Sequence, residues 1–175
     1  MNVALFIVHC SSLASVMSDA YIAALRILKY RFNSEVELRR KLRAKKFEKD
    51  DIDAAIVQLH QEKWLDDERF AGAFVRTRAK KPVGAQRIRR ELRAAGVEDS
   101  AADRAISENV EPERERESLL ALCERRIRML VRRHGASYLE SSEGRMKLTS
   151  YLIGHGYDSA LVRDVVRDVT RKHAE

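Results

Sequence analysis

One frame of apolar positions, met three times in 175 residues, constrains this chain more than any other feature. Leu38, Leu42, Phe47, Ile52 and Ile56 follow one another at spacings of 4, 5, 5 and 4. A shift of 50 residues lands on Ile88, Leu92, Val97, Ala102 and Ile106, and a further 60 on Leu148, Leu152, Tyr157, Val162 and Val166. A spacing of four keeps two side chains on one helix face. The residues between the apolar pairs agree across the copies. Lys46, Gly96 and Gly156 align where a helix ends in a left-handed residue. Glu48, Glu98 and Asp158 follow, at the start of the next helix, where the helix dipole favours acids. At the front, Ser34, Gly84 and Gly144 align as N-cap candidates, and Ser34 has Glu37 at capping-box spacing.

Each copy therefore reads as helix, turn, helix, with a further helix in front. The first of these front helices is expected over 19–30, with Ile22, Leu25 and Leu28 on one side. The second is expected over 67–78, carrying Phe70, Phe74 and Val75. The third is expected over 114–133, carrying Leu119, Leu122, Ile127 and Leu130. A longer loop from Gly135 to Gly144 accounts for the larger second shift. The expected fold is all-α, with three tandem three-helix, helix-turn-helix-like repeats at 18–65, 66–112 and 113–175. Three short helices bury little surface alone, so the repeats pack on their neighbours in an elongated or curved array. Residues 1–17 are read as a poorly structured leader, and Met17 as a candidate native start, because helical periodicity begins just after it.

Composition narrows the class. Two Pro and seven Gly leave little room for β-turns, and 45% hydrophobic residues suffice for packed cores. With 35% charged residues and a mean hydropathy of −0.43, a membrane protein is excluded. The one apolar run near the start, Val3 to Val8, lacks a basic flank and falls far short of the ~20 residues that span a bilayer. Cys10 and Cys123 lie far apart with no CxxC spacing, which fits a reduced pair in the cytoplasm rather than a disulfide or metal site. The net charge of +7 calls for an acidic partner, nucleic acid or protein.

No arrangement for catalysis is present in the sequence. There is no phosphate loop ending in GK[ST], no HExxH and no GxSxG. His9, His60, His134, His155 and His173 show no metal-ligand spacing. Asp66, Asp67 and Glu68 open a helix, where capping accounts for them. The chain reads as a binding protein and not an enzyme, with no cofactor and no metal.

Charge marks the candidate surface. The second helix of the first repeat carries Arg39, Arg40, Lys41, Arg43, Lys45 and Lys46 against Glu37. The shift of 50 places Arg89, Arg90 and Arg93 on Arg39, Arg40 and Arg43, at i, i+1 and i+4 beside the apolar face. Arg39, Arg40, Arg43, Lys45, Lys46, Arg89, Arg90 and Arg93 are accordingly the expected partner-binding residues. In the third repeat Thr149, Ser150 and Ile153 fill these positions. Its charge sits instead on its first helix, at Arg125, Arg126, Arg128, Arg132 and Arg133. The third helices are acidic, with Asp50, Asp51 and Asp53 in one copy and Glu98, Asp99, Asp103 and Glu108 in the next. In a helix-turn-helix DNA reader this helix enters the major groove, where acids would repel phosphates. That argues against sequence-specific reading and leaves backbone contact with single- or double-stranded DNA through the second helices. A helix-turn-helix DNA-binding protein or repressor remains the rival reading.

Three stretches, SEVELRRKLRAKKF (Ser34 to Phe47), WLDDERFAGAFVRTR (Trp64 to Arg78) and GAQRIRRELRAAGV (Gly84 to Val97), resemble the RecX family of recombinase regulators. The string LDD-RFA followed by G--RI--EL is specific, and the resemblance runs from about residue 20 to the C-terminus, more loosely in the third repeat. One departure is Lys46, where the family usually has Gly. A left-handed Lys costs about 1 kcal/mol, so local adjustment of the first turn is expected. The leader before Met17 has no counterpart in the family pattern. The resemblance implies a cytoplasmic monomer that binds the RecA recombinase, lodges in the groove of its filament on DNA and restrains it. ATP hydrolysis, strand exchange and coprotease activity would be inhibited, with consequences for recombination, DNA repair and the SOS response.

Overall fold

A computed structural model of the chain describes residues 18–172, so the readings for the leader, His9, Cys10 and His173 lie outside the described residues. Those residues form an all-helical array. The first unit comprises α1 (Asp19–Leu28), α2 (Glu35–Ala44) and α3 (Lys49–Gln61). The second comprises α4 (Asp67–Arg78), α5 (Ala85–Ala94) and α6 (Asp99–Asn109). The third comprises α7 (Pro112–His134), a 3-10 turn (Ala136–Glu140), α8 (Ser142–Gly154) and α9 (Ser159–Lys172).

The repeated frame forms the cores, of which there are three rather than one. Fourteen of its fifteen positions are buried, and Phe47 is half-buried against the first core. The substantial helix–helix packing is all within units. In the first unit the front helix departs from expectation. Its buried stripe is Ala20, Tyr21 and Ala24, while Ile22, Leu25 and Leu28 are only half-buried. That stripe, two alanines and a tyrosine, is the face that packs on α3.

Turn chemistry holds where φ was constrained. Lys46, Gly96 and Gly156 all adopt left-handed backbone, at φ 65°, 83° and 89°. The expected adjustment at Lys46 does not occur. Its N–H donates to the Arg43 carbonyl at 2.9 Å, as Gly96 N–H does to Arg93, so the turn is kept and the Lys bears the strain. Ser34 and Gly84 are N-caps as read, with the Ser34 hydroxyl accepting from Glu37 N–H at 3.2 Å. Gly144 is not a cap. The third copy starts earlier, at Ser141, whose hydroxyl accepts from Gly144 N–H at 3.0 Å. Gly144 lies inside α8, at a position where a Cβ would sit 2.0 Å from the Tyr138 carbonyl oxygen, so glycine is required there. Half of the expected loop from Gly135 to Gly144 is the 3-10 turn, which buries Leu139, and its last residues belong to α8.

Consecutive units are joined by one device used twice. At the first seam the Ser34 hydroxyl donates to the Ala95 carbonyl at 2.6 Å, and the Asp67 carboxylate accepts from Glu35 N–H at 3.1 Å. At the second, Gly84 N–H and Gln86 N–H donate to the His155 and Gly156 carbonyls, both at 3.0 Å. There the Glu115 carboxylate accepts from Ala85 N–H at 2.7 Å. In each case the left-handed turn of one unit docks on the N-terminus of the preceding unit's second helix. An acid from the intervening front helix then satisfies an N–H that a helix start leaves open.

Candidate partner-binding surface

Two forces fix the cationic second helices: burial of Leu38 and Leu42 in α2, or Ile88 and Leu92 in α5, and the arginines flanking that face. The repeated arginines divide into two groups. Arg39 Nε donates to Glu35 Oε1 at 2.7 Å and its guanidinium also pairs with Asp53 on α3. Arg89 Nε donates to Asp103 Oδ1 at 2.6 Å on α6, and its guanidinium to Gln86 at 3.0 Å. Both partners lie 14 residues on, so the tie between second and third helix is itself repeated. Although burial disfavours its charge, the Asp53 and Glu35 carboxylates hold Arg39 above its ordinary pKa. The Arg39 guanidinium in turn keeps the Asp53 carboxyl low. Arg93 forms a two-pronged pair with Asp99, both contacts at 2.9 Å, which raises the Arg and lowers the Asp.

The second group carries no such ties. Arg40, Arg43, Lys45, Lys46 and Arg90 are exposed, and none hydrogen-bonds or ion-pairs with a carboxylate among the described residues. The contrast between Arg43 and Arg93 has a simple cause: the residue aligned with Asp99 in the first unit is Lys49. In the third unit Arg126 lies over the Tyr151 ring at 4.5 Å, and Arg128 approaches Glu124 only to 3.9 Å. Arg125, Arg132 and Arg133 are exposed on the same helix, α7.

Part of the acidic character of the third helices is thus internal to each unit, a pairing that charge counting along the chain missed. The signal was present in the equal separation of Arg39 from Asp53 and of Arg89 from Asp103. Of the acidic trio, Asp66 caps its own helix by accepting from Arg69 N–H at 3.0 Å. Asp67 instead reaches across the seam, where burial raises its pKa. Nothing local announces that role.

Burial pushes the Cys123 thiol up to about 11, which makes it a poor nucleophile. No cluster of three His, Cys, Asp or Glu able to hold a metal occurs among the described residues. No described helix is long and apolar enough to cross a membrane.

Comparison with known proteins places the array. The profile described as RecX, first three-helix domain, matches residues 20–59, and that of the second three-helix domain matches residues 66–106. The regulatory protein RecX of Serratia proteamaculans is 28% identical over 174 residues, covering 87% of this chain and 98% of that protein. The regulatory protein RecX of Salmonella typhimurium is 30% identical over 162 residues, covering 87% and 90%. The crystal structure of RecX from Lactobacillus salivarius superposes with a TM-score of 0.71 at 24% identity, over 89% of this chain and 97% of that one. A second crystal structure, of a regulatory protein RecX, gives 0.73 at 24% identity over 85% and 70%. These likenesses in structure establish the fold, and the sequence relatives establish the kinship. This chain belongs to the RecX family of regulatory proteins.

Proposed function

We propose that this chain binds the RecA recombinase in the groove of its filament on DNA and inhibits its ATPase, strand-exchange and coprotease activities. In that role it modulates recombination, DNA repair and the SOS response. The observation that carries the reading is the set of unpaired cations on consecutive units: Arg40, Arg43, Lys45 and Lys46 on the first, Arg90 on the second. Desolvating a cation already tied to a neighbour gains little, whereas an unpaired, exposed one is available to an acidic protein surface or a phosphate. Small contacts repeated along an array add through avidity, which suits a monomer spanning adjacent protomers.

The test is inhibition of RecA ATP hydrolysis and strand exchange by the purified chain. No effect at severalfold excess over filament sites would overturn the proposal. Reversing Arg40, Arg43 and Arg90 to Glu should weaken inhibition with no change in helicity by circular dichroism. The rival, a helix-turn-helix DNA reader, gains no support from the geometry: α3 and α6 present Asp50, Asp51 and Asp99 at their exposed starts.

A further inference from the structure

Two exposed aromatic side chains share one cleft. Trp64, the sole tryptophan, is 57% exposed and Phe32 is 44% exposed. With Leu28, Glu62, Lys63 and Arg69 they line a cleft of about 290 Å³ where the first unit meets the start of α4. That is small for a cofactor and of the size that takes one or two side chains. Exposed aromatics clustered around a concavity are the usual anchor of a protein interface, where Trp and Arg dominate the binding energy.

The charges around the cleft specify what enters it. Arg69 stands over the Phe32 ring at 5.1 Å and its guanidinium also reaches the Lys63 carbonyl at 3.5 Å. It is therefore held in place without any carboxylate partner among the described residues. The acid that lines the same cleft does not serve it. Glu62 accepts from the Tyr21 hydroxyl and, at 2.9 Å, from the Gln58 amide. Those two hydrogen bonds first, and one from Trp64, keep its carboxyl below the ordinary range. Lys63 supplies a second cation at the rim. It does so from left-handed backbone at φ 59°, a conformation that a non-glycine residue adopts only at a cost. Its N–H bond to His60 and the bond from Trp64 N–H to Leu59 close the turn that presents the indole outward.

We infer that the Trp64–Phe32 cleft is a docking site for a protein segment that offers an apolar side chain beside a carboxylate. The apolar group enters between the indole and the Phe32 ring, and the carboxylate meets Arg69 and Lys63. This rests on the RecA reading for the identity of the partner, and adds to it a contact made by apolar burial, separate from the arginine surface. Salt separates the two: it weakens the exposed arginine contacts strongly and this one less.

The experiment uses the full chain with Trp64 replaced biosynthetically by 5-hydroxytryptophan, so that its emission is excited apart from the partner's tryptophans. RecA filaments on DNA should shield this position from acrylamide quenching. Trp64→Ala should weaken filament binding by about thirtyfold, the size of an interface hot spot. Arg69→Gln should weaken it less, and Trp64→Phe should retain most of the affinity. Thermal unfolding by circular dichroism checks that each variant keeps its fold. If the parent chain inhibits RecA while Trp64 stays open to quencher and Trp64→Ala binds as well, the docking site is wrong and the RecA reading stands. If the parent chain does not bind filaments, both fall. Shielding by a single-stranded oligonucleotide without RecA would overturn the inference in favour of base stacking.

Discussion

The two seams between units use the same backbone scheme with different chemistry. At the first, a side-chain hydroxyl bridges the gap: Ser34 accepts from Glu37 N–H in its own helix and donates to Ala95 across the seam. At the second, the aligned residue is Gly84, and backbone meets backbone directly. A Cβ added to Gly84 would lie 2.3 Å from the Gly156 carbonyl oxygen. The first seam is therefore spaced by a serine, and the second is closed to glycine distance. At both seams the capping acid, Asp67 or Glu115, comes from the front helix of the following unit.

This difference can be broken from either side. The largest effect is expected from Gly84→Ser, which copies the first seam into the second. With no room for the side chain the seam must open, at about 1–3 kcal/mol, the usual cost of overpacking. Urea unfolding should show the loss, and hydrogen exchange at Gln86 N–H should speed up. An unchanged midpoint would mean that the close approach does not constrain the array. Next comes Ser34→Ala, which removes an N-cap and leaves the Ala95 carbonyl without its donor, for about 1–2 kcal/mol. Here the faster exchange should appear at Glu37 N–H.

Smaller effects sharpen the division among the arginines. Arg39→Gln and Arg89→Gln should each cost about 0.5 kcal/mol of stability, since the pairs they lose are partly exposed. Arg43→Gln should cost nothing measurable in stability yet reduce RecA inhibition. Equal stability losses at Arg39 and Arg43 would erase the distinction. The smallest effect concerns Asp67, whose folded pKa burial raises above its ordinary value. A raised acid binds its proton more tightly in the folded chain, so its ionisation lowers stability as pH rises through the folded pKa. Asp67→Asn keeps the accepting oxygen and removes that cost. Its stability relative to the parent should therefore increase from acid to neutral pH, as read by paired urea titrations, and a difference that shrinks with pH would refute the assignment.

Much of this protein was legible before its coordinates. Three helical units, the cores under Leu38, Ile88 and Leu148, and the left-handed residues at 46, 96 and 156 all follow from periods and caps that act within a few residues. Where sequence reading failed, a contact between distant residues had decided the matter. Gly144 aligns with Ser34 by number, yet the Ser141 hydroxyl, which donates to the Tyr138 carbonyl and accepts from Gly144 N–H, caps the helix and moves its start. The arginine patch was visible as charge, but its division into tied and free members depends on Asp53, Asp99 and Asp103 being brought back onto it. Sequence by itself determined the repeating unit, because helix periodicity and turn conformation are local. Tertiary structure alone decided the seams and the free surface, because a helix terminus or a guanidinium is satisfied by whatever the fold places within about 3 Å, at any distance along the chain.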